Sequence, residues 1–204
     1  MRNLGRFGRL GHGNTQSCDT PQLVAALYKE KCTQVACGFA YTAAVTNNGC
    51  LFAWGAGPYY PSLFPIYLHF CVTGENGRLG TGDSNDRLSP TKVVALSDNR
   101  IVVEQVFAGS VHTCVLSQGG SIYSFGKSEY TGHGCGTDIY FPLLLDAFQG
   151  KHVCQISVGP GGYHTIALTI TGDGTLLSVT KKITADLKRS SVHMGTQPRR
   201  TAWL

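Results

Sequence analysis

The sequence lacks the features of several large classes of protein. None of its 204 residues belongs to a long segment with a 3.6-residue apolar period, which argues against a helical domain. The apolar run over residues 58–72 is too short and too rich in proline to span a bilayer. Asn-x-Ser/Thr sites for N-glycosylation are also missing. We therefore expect no membrane anchor and a fold built mainly from strands.

Patterns for metal binding and catalysis are missing as well. Cys32 and Cys37 stand five residues apart without a second cysteine pair, and His133-Gly-Cys135 has no partner cluster, so a zinc site is not expected. Gly126-Lys127-Ser128 is similar to the end of a phosphate-binding loop, but Ser121 stands where that loop needs glycine. No nucleophile, base and orienting acid come together. The sequence predicts no cofactor, no metal and no catalytic residue.

The cysteines favour a reducing compartment. Eight of them could form four disulfides, but no secretory signal is recognisable in the sequence. Cys37, Cys50 and Cys114 stand inside strand-like patterns, where cysteine usually serves as a small buried apolar residue. We expect free thiols and an intracellular protein of the cytoplasm or nucleus.

What the chain does have is glycine, 26 residues of it, arranged in a repeat. The segment GRLGHG at residues 8–13 returns as GRLGTG at residues 77–82, and a weaker copy, YTGHG, ends at Gly134. Three landmarks of the second copy return 52 residues later in the third: Gly80 and Gly132, Pro90 and Pro142, His112 and His164. Repetition at fixed spacing indicates a stack of equivalent structural units.

The first and second copies are separated by more than one repeat length. Gly11 and Gly80 stand 69 residues apart, as do Pro21 and Pro90, so 17 residues are in excess of the 52-residue spacing. Residues 58–74 account for them and are unlike their surroundings, with three prolines, three tyrosines and two phenylalanines. We interpret them as a non-repeat apolar insertion. Two explanations stay open: the segment is a translated intron, or it is an insertion that docks on the repeats.

The local pattern of each repeat predicts short antiparallel strands. Thr42–Trp54 contains two strand-like runs joined at Asn-Asn-Gly, and Thr113–Phe125 and Thr165–Val179 have the same form. Further strands are predicted where β-prone residues follow each repeated proline, at Thr20–Lys31, Pro90–Leu96 and Pro142–Phe148. Six repeated glycines are predicted to form tight turns: Gly11, Gly13, Gly80, Gly82, Gly132 and Gly134.

Roughly residues 5–57 and 75–179 resemble repeats of the regulator of chromosome condensation family. The resemblance rests on GRLGHG…PQLV…VACGFAYTAAVTNNGCLFAWG, ENGRLGTGD…SPTKVVAL…VFAGSVHTCVLSQGGSIYSFG and TGHG…FPLLLDAF…GGYHTIALT. It implies an all-β fold, a seven-bladed β-propeller, of which about three antiparallel four-stranded blades are visible here. The predicted repeats are residues 1–57, 75–126 and 127–179. An arc of three blades has two exposed faces, which favours a fragment or an incomplete gene model.

Charge separates the repeats from the end of the chain. Residues 1–174 hold eleven basic and eleven acidic residues, while residues 175–204 hold six basic residues against Asp186 alone. Residues 180–204 are predicted to be a basic tail with no fold of its own. Because the repeats are neutral, binding to nucleic acid or chromatin would depend on this tail and is disfavoured.

The resemblance implies that the protein acts by binding other proteins on its surface. We expect a non-catalytic protein-interaction scaffold that binds partners through blade-edge loops. The alternative is guanine-nucleotide exchange on a Ran-like small GTPase, with chromatin association as a further reading; the loops Gly38–Thr42, Gly109–Thr113 and Gly159–Thr165 would then contribute. An exchange face should carry acidic residues, and these loops supply none at positions 39, 40, 110 and 111.

At one equivalent position, each of the three loops has an aromatic side chain that can form hydrogen bonds. The position holds Tyr41, His112 and His164, which are predicted to contact a partner. A structural role, such as a hydrogen bond at the mouth of a strand, is favoured over general-base chemistry by the recurrence itself.

Overall fold

A computed structural model describes residues 5–57, 76–159, 163–170 and 174–177. The predicted insertion at residues 58–74 and the tail at residues 180–204 lie outside the described residues. No helix among the described residues has the length and apolarity that a membrane crossing requires.

Eleven strands of the described chain form three antiparallel sheets, which we call blades 1 to 3 in chain order. Blade 1 contains β1 (Cys32–Cys37), β2 (Tyr41–Thr46), β3 (Leu51–Gly55) and β4 (Arg87–Lys92). Blade 2 contains β5 (Val103–Ala108), β6 (His112–Ser117), β7 (Ile122–Gly126) and β8 (Ile139–Leu144). Blade 3 contains β9 (Val153–Val158), β10 (Thr165–Thr169) and β11 (Gly174–Leu177). The all-β expectation and the antiparallel blades are confirmed.

The predicted hairpins are the centre of each blade. β2 pairs with β3 in the register Val45 to Leu51, and β6 pairs with β7 in the register Leu116 to Ile122. Gly49 closes the first hairpin at φ 69°, a left-handed conformation that glycine adopts without strain. Every residue of β2 and β6 is buried, and each of these strands lies inside its sheet with a paired strand on either side.

The prediction of a strand after the second and third repeated prolines was right for residues 90–92 and 142–144 and wrong beyond them. The strands β4 and β8 begin before the proline, and the chain then turns into α1 (Val94–Asp98) or a 3₁₀ turn, Asp146–Phe148. These turns place Leu96 and Phe148 in the core, at 1% and 3% exposure. An apolar run can therefore be buried by a turn as well as by a strand.

Thr20–Lys31 forms no strand at all; it contains only the 3₁₀ turn Ala25–Leu27. The reason lies in the sheet topology. β4 pairs with β3 and β8 pairs with β7, so each repeat supplies the outer strand of the blade before it. The first repeat has no earlier blade among the described residues, and its outer segment has nothing to pair with.

Two apolar cores lie in the joints between blades. The joint of blades 1 and 2 buries Ala43 and Val45 of β2 against Val106 and Val115. The joint of blades 2 and 3 buries Leu116 and Ile122 against Ile156 and Ala167, among others. Because sheets bury their faces against neighbouring sheets, the joints supply most of the apolar burial of this fold.

Blades 1 and 2 share a hydrogen bond between the ends of their last two strands, although only blade 1 contains the insertion. The Gly57 amide donates to Asp86 Oδ1 at 3.0 Å, and the Ser128 amide donates to Asp138 Oδ1 at 2.9 Å. These two hydrogen bonds occupy equivalent positions in blades 1 and 2. The first lies beside residues 58–74, so the repeat geometry is the same with and without the extra residues.

The seven described cysteines are all free, but their burial differs from the prediction. Cys114 is buried in β6, whereas Cys50 is half-buried in the turn before β3 and Cys37 is exposed. Cys37 stands where blade 2 has Ala108, which is 7% exposed because blade 1 covers it. No described blade covers the corresponding face of blade 1.

Candidate interaction face at the loop edge

The loops between the first two strands of each blade lie at one end of the arc, which we call the loop edge. They are residues 38–40 of blade 1, residues 109–111 of blade 2 and the residues before Thr165 in blade 3. The first two loops contact directly, since the Phe39 amide donates to the Gly109 carbonyl at 3.4 Å. The loop edge is therefore a continuous surface made by successive blades.

Tyr41 lies inside the first joint rather than on the surface. Its side chain is 1% exposed, and its hydroxyl makes hydrogen bonds to the His112 carbonyl at 2.7 Å and Thr113 Oγ1 at 2.8 Å. Burial raises the pKa of Tyr41, so the phenol is neutral. In this arrangement Tyr41 ties blade 1 to blade 2.

His112 makes the equivalent contact at the second joint. It is fully buried, and its Nε2 lies 2.9 Å from Thr165 Oγ1. Burial, with a smaller contribution from the charge of nearby His164, lowers the pKa of His112 from 6.5 to about 4. The imidazole is neutral at physiological pH. Its Nδ1 has no hydrogen-bond partner among the described residues.

His164, at the same position of blade 3, is exposed. Beside it lies an aromatic group that spans the second joint. The rings of Tyr130 and Tyr163 are 5.1 Å apart and tilted by 41°, and Tyr130 lies 6.1 Å from the His112 ring. The Lys127 ammonium lies 5.9 Å from the Tyr130 ring centre.

Partner contact by Tyr41, His112 and His164 stays a prediction. The described contacts show a joint-forming role for the first two, and only the third is accessible in this structure. Exposed aromatic surface at the loop edge comes instead from Phe39 and Tyr163, each 43% exposed. Beside these rings, Lys127 Nζ forms an ion pair with Glu129 Oε2 at 3.5 Å.

Arg78 is a joint residue that sequence reasoning missed. Its side chain is 1% exposed, with Nε donating to the Gly57 carbonyl at 3.2 Å and Nη1 donating to the Ser110 carbonyl at 3.0 Å. The Arg78 carbonyl accepts from Thr113 Oγ1 at 2.7 Å. The arginine in both GRLG segments was the available signal, but only the glycines were interpreted.

The repeated glycines have turn conformations. Gly11, Gly13, Gly80, Gly82, Gly132 and Gly134 all have positive φ, between 67° and 95°. Gly80 is also limited by space, because a Cβ there would lie 2.7 Å from the Phe125 ring. At Gly134 a Cβ would meet nothing within 4 Å, so only the backbone angle requires glycine.

Ser124 and His133 form the one described contact that resembles part of a hydrolytic site. Ser124 Oγ lies 2.9 Å from His133 Nε2. Burial lowers the pKa of that imidazole, opposed by hydrogen bonding at Ser124 and by the charge of Asp146. The serine is 1% exposed, and its hydroxyl donates to the Thr131 carbonyl at 2.5 Å. In this arrangement the serine proton points at the Thr131 carbonyl and not at the histidine. The pair holds α2 (Ser128–Thr131) and the segment after it against β7.

Metal binding finds no support in the described part of the chain, where no three His, Cys, Asp or Glu side chains come together as ligands. The chemistry available at the loop edge is that of aromatic rings, backbone amides and a few charges.

Comparison with known families decides the identity of the repeat. A family model described as the regulator of chromosome condensation (RCC1) repeat matches residues 4–45 and 73–116, and a second model with the same description matches residues 32–60 and 103–131. Together they cover more than half of the chain. The chain belongs to the regulator of chromosome condensation repeat family.

Curated relatives in this repeat family are longer proteins. The chain is 37% identical over 169 residues to the E3 ubiquitin-protein ligase HERC2 of Homo sapiens, covering 81% of this chain and 3% of the relative. It is 33% identical over 170 residues to the ultraviolet-B receptor UVR8 of Arabidopsis thaliana, covering 82% of this chain and 34% of that protein. The chain thus spans 3% of the first relative and 34% of the second.

Two solved structures share the fold. Human WBSCR16 aligns over 83% of this chain and 39% of its own, with a TM-score of 0.61 and 21% identity. Prp20p of Saccharomyces cerevisiae aligns over 94% of this chain and 42% of its own, with a TM-score of 0.60 and 19% identity. These likenesses confirm the partial β-propeller that the repeats predicted.

Proposed function

We propose that this chain is a non-catalytic protein-interaction module of the regulator of chromosome condensation repeat type, acting inside the cell through its loop edge. The observation that carries the proposal is the composition of that edge. Phe39 and Tyr163 are exposed, Tyr130 stacks between His112 and Tyr163, and Lys127 lies over the same ring. Aromatic residues of this kind are enriched in protein interfaces.

The scaffold beneath the loop edge supports the same proposal. The polar side chains that could have done chemistry are already used in the joints, where Tyr41, His112 and Arg78 bond to neighbouring loops. A face held in this way is preorganised, so partner binding would not have to order the loops first.

The test compares loop-edge variants with a matched exposed aromatic elsewhere. Phe39→Ser and Tyr163→Ser should each weaken partner capture at least tenfold, because aromatic anchors dominate interface energy. Tyr28→Ser is the control, since Tyr28 is 73% exposed and lies before β1, away from the loops. Quantitative affinity purification identifies the captured protein, and calorimetry with the purified partner measures the loss.

Equal binding by all three variants would contradict the proposed role of the loop edge. Loss of binding by the Tyr28 variant alone would indicate that the partner binds the outer side of blade 1 instead of the loop edge.

A second candidate is guanine-nucleotide exchange on a Ran-like GTPase, with chromatin association as its extension. It is favoured by the likeness in fold to Prp20p, whose structure was described with its binding to Gsp1p and histones. The electrostatics weigh against it, because the acidic side chains described beside these loops are already engaged: Glu129 is paired with Lys127, and Asp86 and Asp138 accept from the Gly57 and Ser128 amides. Accelerated release of labelled GDP from a Ran-type GTPase by the chain would support exchange. An unchanged release rate at saturating chain would reject it.

A further inference from the structure

The two connectors that link the blades differ in length. The connector from blade 1 to blade 2 follows Leu96, and the connector from blade 2 to blade 3 follows Phe148, its counterpart 52 residues later. Each connector ends at a valine, Val103 or Val153, whose amide donates to a glycine carbonyl in the hairpin turn of the preceding blade, at 3.0 and 3.1 Å. Because these valines are only 50 residues apart, the second connector is two residues shorter than the first.

The two connectors also differ in one equivalent residue. The Ile101 amide donates to the Leu96 carbonyl at 2.9 Å, and the Lys151 amide donates to the Phe148 carbonyl at 2.9 Å, so Ile101 and Lys151 are counterparts. Ile101 is half-buried and packs on the apolar core of the first joint. Lys151 is exposed. At this place the first joint therefore has an aliphatic side chain and a longer connector, and the second joint has neither.

A cavity of about 280 Å³ lies at this place in the second joint. The buried side chains of Leu145 and Phe148 are part of its lining. Their counterparts in the first joint, Val93 and Leu96, belong to the apolar cluster on which Ile101 packs. The cavity thus corresponds to the space that the longer connector and Ile101 fill in the first joint.

The exposed part of the cavity lining is mainly polar and carries one formal charge. Apart from Leu144, its exposed residues are glycine or polar. Lys151 is the charged residue, and no carboxylate belongs to the described lining; Asp146, the nearest acid in the sequence, lies outside it. His152 packs against the hairpin turn, since a side chain at Gly120 would overlap its imidazole. A carboxylate at the cavity would meet a lysine without an opposing acid.

The size and the lining are those of a small binding site. An apolar cavity of about 150 Å³ accommodates benzene, which is larger than the side chain of isoleucine. The cavity in the second joint has room for such a side chain and for part of a peptide backbone. A buried apolar floor with a few polar groups is also the usual composition of a ligand site.

We propose that this cavity binds a short peptide segment of a partner protein, which places a branched aliphatic side chain against Leu145 and Phe148 and a carboxylate beside Lys151. A peptide is the occupant because the second joint differs from the first by a stretch of peptide that includes Ile101. Charge complementarity to Lys151 specifies the acidic residue.

The proposal goes beyond the function of the loop edge, because the cavity lies at the other end of the blades. Residues 119–121 form the turn that follows β6, and residues 144–152 follow the last residues of β8. Both segments are at the ends of strands whose other ends begin or finish at the loop edge.

Selection from a phage library of random dodecapeptides on the full 204-residue chain tests the proposal. We expect the enriched peptides to share an isoleucine, leucine or valine close to an aspartate or glutamate. In calorimetry with a synthetic consensus peptide, alanine in place of the aliphatic residue should weaken binding about tenfold or more, because its apolar burial is lost. No enriched consensus, or one without an aliphatic residue and an acid, overturns the proposal and leaves the cavity a solvent-filled result of the shorter connector.

The chain supplies the sequence for a variant with a filled cavity. Replacing residues 149–152 by residues 97–102 lengthens the connector by two residues and puts isoleucine in the place of Lys151. This graft should abolish binding of the consensus peptide, because the same segment fills the first joint. Full binding by the folded graft would contradict the site.

A charge reversal tests the site without changing the connector length. Lys151→Glu should weaken the consensus peptide about fivefold or more, since an attraction becomes a repulsion. Lys92→Glu is the matched control, because Lys92 is an exposed lysine of β4 in blade 1. Equal affinities of the two variants would show that Lys151 does not meet the acid, and would overturn the proposal.

Amide resonances locate the peptide without any substitution. In ¹⁵N spectra the consensus peptide should shift the signals of Gly119, Gly150 and Lys151 and leave those of Phe39 and Gly109 at the loop edge unchanged. Phe39→Ser should bind the peptide as the wild type does, so this proposal and that of the loop edge can fail separately. Shifts confined to the loop edge would overturn the cavity as the peptide site.

Discussion

At the scale of single residues, the aromatic side chain at one repeated position joins each blade to the next. The side chain at the start of the second strand reaches the next blade and bonds to a threonine there, as a phenol in Tyr41 and as an imidazole in His112. The same position is exposed in His164, since no described blade follows it. Burial of this ring thus reports whether a joint is closed.

The buried imidazole makes stability depend on pH. The pKa of His112 is lowered to about 4 by burial, below the 6.5 of an unfolded chain, so the native state binds fewer protons. Its contribution is intact above pH 6.5 and is lost as pH falls from 6.5 to about 4, by about 3 kcal/mol. Urea unfolding at several pH values should show this fall.

His112→Asn is the comparison for that measurement, because an amide does not titrate in this range. The variant should lose most of the fall in unfolding free energy between pH 6.5 and 4, whatever its stability at neutral pH. The lowered pKa of His133 acts in the same direction and should leave a smaller residual slope. An unchanged slope in the variant would show that His112 is not the titrating group.

At the scale of elements, the repeated glycines combine two constraints that can be separated. Gly80 and Gly134 have almost the same backbone angle, φ 68° and 67°. They differ in space, because a Cβ at Gly80 would lie 2.7 Å from Phe125 and a Cβ at Gly134 would lie in the open. The two sites therefore distinguish backbone strain from packing.

Gly134→Ala should lower the free energy of unfolding by about 1 kcal/mol, the cost of a left-handed alanine. Gly80→Ala should lower it by roughly 1–3 kcal/mol more, because the methyl group must displace the Phe125 ring. Urea titrations of the two variants beside the wild type give both values. Equal losses would show that the ring moves aside at no cost.

At the scale of the whole molecule, stability comes from joints between blades. Val106 and Val35 are equivalent residues on equivalent strands, with register partners Val115 and Ala44. One is 0% exposed in a joint, and the other is 58% exposed on an end face. Comparing substitutions at these two valines therefore measures how much burial in a joint contributes to the free energy of unfolding.

Val106→Ala should cost about 2 kcal/mol, from lost transfer energy and the cavity that remains. Val35→Ala should change stability by less than about 0.5 kcal/mol, because its side chain is already exposed. Chemical denaturation at low protein concentration checks both. A large loss from the Val35 variant under these conditions would mean that its face is already covered within one chain.

The repeat by itself determined most of the fold. Spacing identified equivalent units, and Asn-Asn-Gly and its counterparts located the hairpins of Thr42–Trp54 and Thr113–Phe125, because turn geometry is local. The outer strands were predicted to begin at Pro90 and Pro142, but they begin three residues earlier, at Arg87 and Ile139. Arg87–Lys92 contains two charges and a proline and does not resemble a strand until β3 is beside it.

Only the tertiary structure decided what each equivalent residue does. Val35 and Val106, like His164 and His112, have the same sequence context and opposite exposure. The physical reason is that burial is a property of the neighbouring blade and not of the residue's own sequence. The glycine repeat therefore predicted a row of blades, while the joints and the loop edge followed from which blades lie side by side.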